Sequence, residues 1–294
     1  MVFVCFTIEK KLKDTIMKSF EISFLLALAF LSIPAIAAPT LASKEQIASF
    51  KSTKTCVVMD DGASFFNAPA KEAVIKFWKT TSYEIIDRKE FEKRKTDPKY
   101  SFIVLMEGFF DKDPGGVSYS YISLVLGDPS GNLTKMPEFC SIPLSYAGDN
   151  DAEYEYIIPL VIKFMQIHVA NLVKDRFPIS INGLKYYNKT GYKDKVLVLN
   201  SEKMAPNADS PEKISAVYPH EFKLMTAEEI NEKINSETVN TLFHFHVGPP
   251  EGGAAGKCFE MLFDATGNLF YFSSRKVTND NPDGFNIKDF NQIK

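Results

Sequence analysis

One stretch of this chain is written twice, and a duplicated stretch must fold into a duplicated unit. Tyr83-Glu-Ile-Ile leads into the charged segment Asp87–Thr96, the apolar run Tyr100–Gly108 and the turn Asp128-Pro-Ser-Gly-Asn-Leu133. His220-Glu-Phe-Lys leads likewise into Thr226–Glu237, Asn240–Gly248 and Asp264-Ala-Thr-Gly-Asn-Leu269. The spacing between the copies is nearly constant, so their loops differ more than their elements. Gly108 is expected to align with Gly248, and Cys56–Met59 with Val196–Leu199.

Each copy reads as β-α-β-α-β followed by a hairpin. Cys56-Val-Val-Met59 is a short apolar run ending at Asp60-Asp-Gly62, as a buried strand does when it enters a turn. Asn67 and Pro69 open a helix through Lys79. Tyr83–Ile86 is a strand, Asp87 caps a solvated helix, and Ser101–Met106 is apolar throughout, as a strand covered on both faces should be. Ser118–Leu126 and the Asp128 turn supply the antiparallel part. In the second copy Ser210-Pro211 starts a helix, and Thr226-Ala-Glu-Glu229 is a capping box. The turns Asp-x-Ser/Thr-Gly-Asn are too tight for a crossover, so mixed sheets are expected. Between the copies, Val161, Phe164, Met165, His168 and Leu172 mark one face of a helix over 152–177. Lys163, Gln166 and His168 interrupt that run, which argues for a core helix rather than a membrane span.

The predicted class is therefore α/β (α+β): two tandem degenerate βαβαβ-plus-hairpin units with mixed sheets, linked by a long core helix. The predicted divisions are a signal peptide at 1–37, a polar lead-in at 38–51, unit 1 at 52–178, a short hairpin or linker at 179–192, and unit 2 at 193–294. The signal peptide rests on Lys18, the apolar run Ile22–Ile33 and the small-x-small site Ala35-Ile-Ala37. Met17 opens a leader of ordinary shape, so either Met1 or Met17 can start the chain. Export to the periplasm or medium is expected, with no transmembrane anchor after cleavage.

Charge excludes one class of partner. Residues 1–37 hold Lys10, Lys11, Lys13 and Lys18 but only Glu9, Asp14 and Glu21, out of totals of 34 basic and 37 acidic residues. The mature chain is thus slightly more acidic than the whole, and it lacks the positive field that nucleic acid requires. Cys56, Cys140 and Cys258 remain after cleavage. At most one disulfide can form, and none of the three makes a C-x-x-C.

The residues Tyr83–Phe91, Glu107-Gly108 and Asp128–Leu133, echoed at His220–Ile230 and Asp264–Leu269, resemble one envelope-domain type. They look like the amino-terminal domain of the Tol-system β-propeller protein and the related domain of the curli-secretion lipoprotein. The resemblance implies a non-catalytic interaction or assembly domain of the bacterial envelope. This chain departs from those families in having no lipid-anchor cysteine and no propeller repeats.

No nucleophile elbow, phosphate loop, zincin or dinucleotide motif is present, and no catalytic or cofactor-binding residue is assigned. Asp60-Asp61 is matched by Asn200-Ser201 in the second copy, so it reads as a solvated turn. Gly252–Gly256 joins two strands and opens no helix, so it reads as a hairpin loop. His244-Phe-His246 puts two imidazoles on one strand face. If Val247 pairs with Lys257, His244 lies opposite Glu260 and His246 opposite Cys258. These four are candidate metal ligands by residue type. The expectation is instead a half-exposed outer face with no bound metal and no cofactor, since the first copy carries Val104 and Met106 at the aligned positions.

Three functions follow as expectations. The leading one is an exported, non-catalytic binding or assembly protein whose partner is an envelope protein or small ligand. The others are a metal-binding protein or metallo-hydrolase using the His244/His246 face, and an oligomeric secretion component. Amino-terminal sequencing of protein recovered from envelope or medium should read from Ala38, whereas an intact Met17 on soluble cytoplasmic protein is incompatible with export.

Overall fold

The computed structural model describes residues 40–62, 64–109, 117–147, 152–174, 181–189, 192, 194–236, 240–249 and 256–294. The expected signal peptide, Gly115-Gly116, Pro178 and most of the glycine-rich loop lie outside the described residues.

The apolar runs become strands. β1 (Lys54–Val58), β2 (Ser82–Ile86), β3 (Tyr100–Phe109), β4 (Ser118–Leu126) and β5 (Glu138–Tyr146) form a sheet of order β2-β1-β3-β4-β5. β6 (Val196–Asn200), β7 (Phe222–Met225), β8 (Thr241–Val247), β9 (Lys257–Asp264) and β10 (Leu269–Lys276) form a second, ordered β10-β9-β8-β6-β7. The two orders are the same when equivalent strands are matched. In both sheets the first three strands are parallel and the last two antiparallel. The fold is mixed α/β, consistent with two tandem units.

The connecting helices are capped as their sequences require. α1 (Lys44–Ser49) begins at a Ser43/Gln46 capping box, and α2 (Asn67–Phe77) joins β1 to β2. Asp87 caps α3 (Arg88–Arg94), and α4 (Ile158–Lys174) follows a 3-10 turn at Ala152–Ile157. Ser210 caps the short α5 (Pro211–Ser215), and Thr226 with Glu229 boxes α6 (Ala227–Asn235). A last helix, α7 (Ile287–Ile293), closes the chain. The two glycine turns also match. Asp128 accepts from Ser130 N–H at 2.9 Å and Asp264 from Thr266 N–H at 3.0 Å, with Gly131 and Gly267 both at positive φ. That conformation is open to glycine at little cost.

One expected alignment fails. Lys54 lies opposite Tyr100, but Val196 lies opposite Thr241, a separation one residue shorter. Because side chains alternate, a one-residue change exchanges the faces. Val104 clusters with Phe91 of α3, the second connecting helix of its unit. Leu242, two residues before His244, clusters instead with Ile214 of α5, the first connecting helix. Gly108 and Gly248 are therefore not equivalent, and neither are Val104 and His244.

The units pack through different faces. Successive crossovers to either side of β1 put α2 and α3 on opposite faces, as right-handed connections require. The first sheet turns its α2 face inward (Val57, Ile103, Ala70, Val74), and the second its α6 face (Val198, Phe243, Ile230). Both contribute to one continuous core, with α4 at its centre. Nine residues of α4 are buried, so it is apolar nearly all round. Tyr154–Lys174 has the length and hydropathy of a membrane span, yet 61% of that window is buried within the fold. Gln166 accepts from Lys79 N–H at 2.7 Å and donates to Phe77 C=O at 3.0 Å, tying α4 to the end of α2. Lys163 donates to Ala265 C=O at 2.7 Å, and Phe164 meets Phe263 edge-on at 5.8 Å. A Cβ on Gly267 would stand 2.4 Å from Lys163 Cβ, so the Asp264 turn lies flat on α4.

Two segments differ from expectation because strand edges need partners. The 38–51 lead-in contains α1, buries Ile47 and Phe50, and pairs Thr40 and Ala42 with Glu138 of β5. In the 179–192 segment, expected as a short hairpin or linker, Ile181–Lys189 is a 3-10 helix. The Asn188 amide accepts from Phe272 N–H at 2.8 Å and donates to Phe272 C=O at 2.9 Å, standing in for a neighbouring strand on β10.

Tyr119 of β4 locks the units together. Its hydroxyl donates to Lys257 C=O and accepts Lys257 N–H, both at 2.7 Å, and its ring meets Phe259 at 5.4 Å. Removing that hydroxyl takes away its two hydrogen bonds to the Lys257 main chain, so Tyr119→Phe should lower stability by about 1–3 kcal/mol in urea unfolding.

Buried His168 on α4 faces the Tyr187 hydroxyl at 2.8 Å, and burial lowers its pKa to about 4. The unfolded chain takes up this proton at higher pH than the native one. Stability should therefore fall as pH drops from about 6.5 to about 4, by on the order of 3 kcal/mol, and His168→Gln should flatten that fall in unfolding midpoints.

Candidate functional site

The pairing of β8 with β9 is shifted by two residues from the expected register. Val247 lies opposite Phe259, His246 opposite Glu260 and His244 opposite Leu262. Lys257 lies outside that pairing, its N–H and C=O bonded to the Tyr119 hydroxyl instead of to β8. An even shift preserves the face, so His244, His246, Cys258 and Glu260 still share one side.

That side is not the half-exposed surface expected of it. His244 and Glu260 are wholly buried, and His246 is 6% exposed. The covering layer is α5 together with the C-terminal residues, whose Phe285, Phe290 and Ile293 pack on Leu197, Leu199, Leu242 and Leu262.

Glu260 is the hub. Its Oε2 accepts from His244 Nε2 at 2.8 Å, and its Oε1 faces His246 Nδ1 at 3.0 Å and Arg275 at 3.2 Å. His244 Nδ1 accepts the Asn200 N–H at 3.4 Å, so the proton of this ring sits on Nε2. His246 has carboxylates on both nitrogens, with Asp283 Oδ2 at 3.3 Å from Nε2. Only the imidazolium can donate to both. Burial opposes that charge, but Glu260 and Asp283 outweigh it and hold the pKa up to about 10. Burial likewise works against ionised Glu260, yet His246, the hydrogen bond from His244 and Arg275 keep its pKa well below the usual carboxylate range.

Arg275 extends the network to Asp289 at 3.0 Å, where Asp289 also accepts from the Tyr271 hydroxyl at 2.7 Å. Asp289 closes the capping box of α7 by accepting the Asn286 N–H at 3.0 Å. Arg275, Asp283, Asp289 and Tyr271 were not among the sequence candidates. The pattern Asn286-Ile-Lys-Asp289 is a readable helix start, but nothing in it says that its acid meets an arginine.

The chemistry open to this cluster is narrow. Each imidazole nitrogen is committed to a carboxylate or a main-chain N–H, leaving no shared point for a metal. Among the described residues no three His, Cys, Asp or Glu side chains are arranged to hold an ion. Cys258 lies opposite Arg275, and burial raises its pKa, which keeps the thiol protonated. Cys56, Cys140 and Cys258 are all free and buried. Asp60 is bound to Arg88, whose guanidinium also reaches Leu105 C=O at 3.1 Å.

No protein-family model, no curated protein and no solved structure matches this chain.

Replacing Glu260 by Gln leaves buried cations without their counter-charge and should cost about 3–5 kcal/mol in chemical denaturation. Because the folded pKa of His246 is raised, its contribution is full below about pH 6.5 and disappears as pH climbs through about 10. An alkaline loss of stability, absent from His246→Gln, should be seen in pH-dependent unfolding.

Proposed function

We propose that this chain is an exported, non-catalytic binding or assembly protein of the bacterial cell envelope. The supporting observation is the closure of the polar cluster about Glu260: His244, Glu260 and His246 lie under the C-terminal layer, each bonded within the fold. A catalytic base must reach a substrate proton directly or through one water. These groups instead fasten a sheet to the segment that covers it. The leader and the resemblance of the repeats to envelope domains support the address.

The repeats also offer matching places for a partner. Among the described residues no strand pairs with the outer edge of β2 or of β7, and these are equivalent positions in the two sheets. Such edges accept an added strand through main-chain hydrogen bonds. The edges of β5 and β10, by contrast, are covered from within the chain.

Tagged full-length protein, cross-linked in envelope extract, should capture a small set of proteins in near-stoichiometric amounts, and Tyr83→Pro on β2 should reduce that capture. Elemental analysis of untagged protein provides the contrary outcome. About one equivalent of zinc or copper, lost on joint His244→Ala and His246→Ala substitution, would put the metalloprotein reading in its place.

A further inference from the structure

The C-terminal segment occupies the second unit as a ligand occupies a site. In open α/β sheets the crevice at the carboxyl ends of the strands, where the strand order reverses, is where ligands bind. In the second unit that crevice lies beyond β6 and β8, and Asp283-Gly284-Phe285 fills it. Phe285 accepts from Ala205 N–H and donates to Lys203 C=O, both at 3.0 Å, forming a parallel bridge with Met204. Its ring is wholly buried, 4.9 Å from His244 and 4.9 Å from Phe290. Asp283 meets His246, and Arg275 binds Gly284 C=O at 2.5 Å. Gly284 has φ +86°, and a Cβ there would stand 2.7 Å from Ala205 N. Across the groove, a Cβ on Gly248 would stand 2.5 Å from both Asp283 oxygens. Main-chain pairing, an aromatic pocket and a charge contact are the marks of peptide recognition.

Among the described residues the first unit shows no such strap at the same crevice. There Arg88 spans from Asp60 to Leu105 C=O. The repeated unit therefore does not require a docked segment at this place. In the second unit the join is imperfect. Asp283 Oδ1, Arg275 Nε and Asn286 Nδ2 are buried with no hydrogen-bond partner among the described residues. Each unpaired group weakens the closed state, which lowers the penalty for opening this seam to water. The strap is joined to β10 through a turn whose Thr278–Asp280 are exposed, closed by Thr278 and Asn281.

We propose that residues 282–294 are an exchangeable strap, and that the groove between Met204 and Gly248 accepts the same segment from a second copy of this chain. A foreign peptide would have to replace the burial of Phe285, Phe290 and Ile293 together. A second copy remakes every contact, because the strap's ionic and core partners all belong to the second unit. Such exchange of an identical element is a low-cost route to dimers. The inference concerns the second unit alone and stands whether or not the chain is exported.

The test uses two full-length variants. Gly284→Val spoils the strap and leaves the groove, while Gly248→Val spoils the groove and leaves the strap. Mixed at high concentration, they should form a mixed dimer by native mass, with the Gly248→Val strap protected from hydrogen exchange; either variant alone should stay monomeric. Wild-type chains, one isotopically labelled, should also yield mixed dimers after joint incubation in mild denaturant. Absence of mixed dimers from the wild-type pair overturns the proposal, including where a valine variant fails to fold. A mixed dimer whose strap gains no protection overturns it as well.

Discussion

The packing of two topologically unlike sheet faces about α4 is the constraint on which this structure depends. The first sheet buries the side that carries α2, the second the side that carries α6, and both bury it against the same helix. A repeat that used equivalent faces would bring like surfaces together around a two-fold axis. Here the match is between different surfaces, so each copy has had to become different. The first keeps apolar residues on both faces of β3; the second places histidines on the face that points away from the shared core.

The ionic network is the counterpart of that choice. A sheet that buries one face in the shared core must still cover the other. The first unit does so with α3, through Phe91 on Phe102 at 4.9 Å. In the second unit α5 spans only Pro211–Ser215, too short to cover the sheet alone, and the C-terminal residues complete the layer. Buried charges are costly unless paired and hydrogen-bonded. Glu260 meets that condition by accepting from two imidazoles and a guanidinium. Removing one member is expected to cost more than the assembled network contributes, since the others would stay buried without it. The network's clearest physical role is to specify where the C-terminal strap sits.

His168 and His246, both buried, illustrate how environment sets protonation. His168 has a phenolic hydroxyl beside it and burial alone drives it neutral, whereas His246 lies between two carboxylates and is driven to the charged form. One imidazole makes the fold acid-sensitive and the other makes it base-sensitive.

Period and punctuation in the sequence were enough to mark most of the strands, several helix starts and the mixed pairing of the sheets. The strand Ser118–Leu126, the Asp87 cap, the Thr226 box and the paired Asp–Gly turns depend on neighbours within a few residues, and local chemistry decides them. Sequence also put His244, His246, Cys258 and Glu260 on one face, because an even register shift leaves a strand's faces unchanged. That both faces of β8 are buried lay beyond it, because the cover of the histidine face is the strap arriving from 282–294. Arg275, Asp283 and Asp289 are ordinary surface-type residues in the sequence, and only tertiary packing brings them to Glu260. The 181–189 helix along β10 was hidden for the same reason, since an edge strand's need for a partner is a property of the assembled sheet and leaves no periodic mark on the segment that meets it.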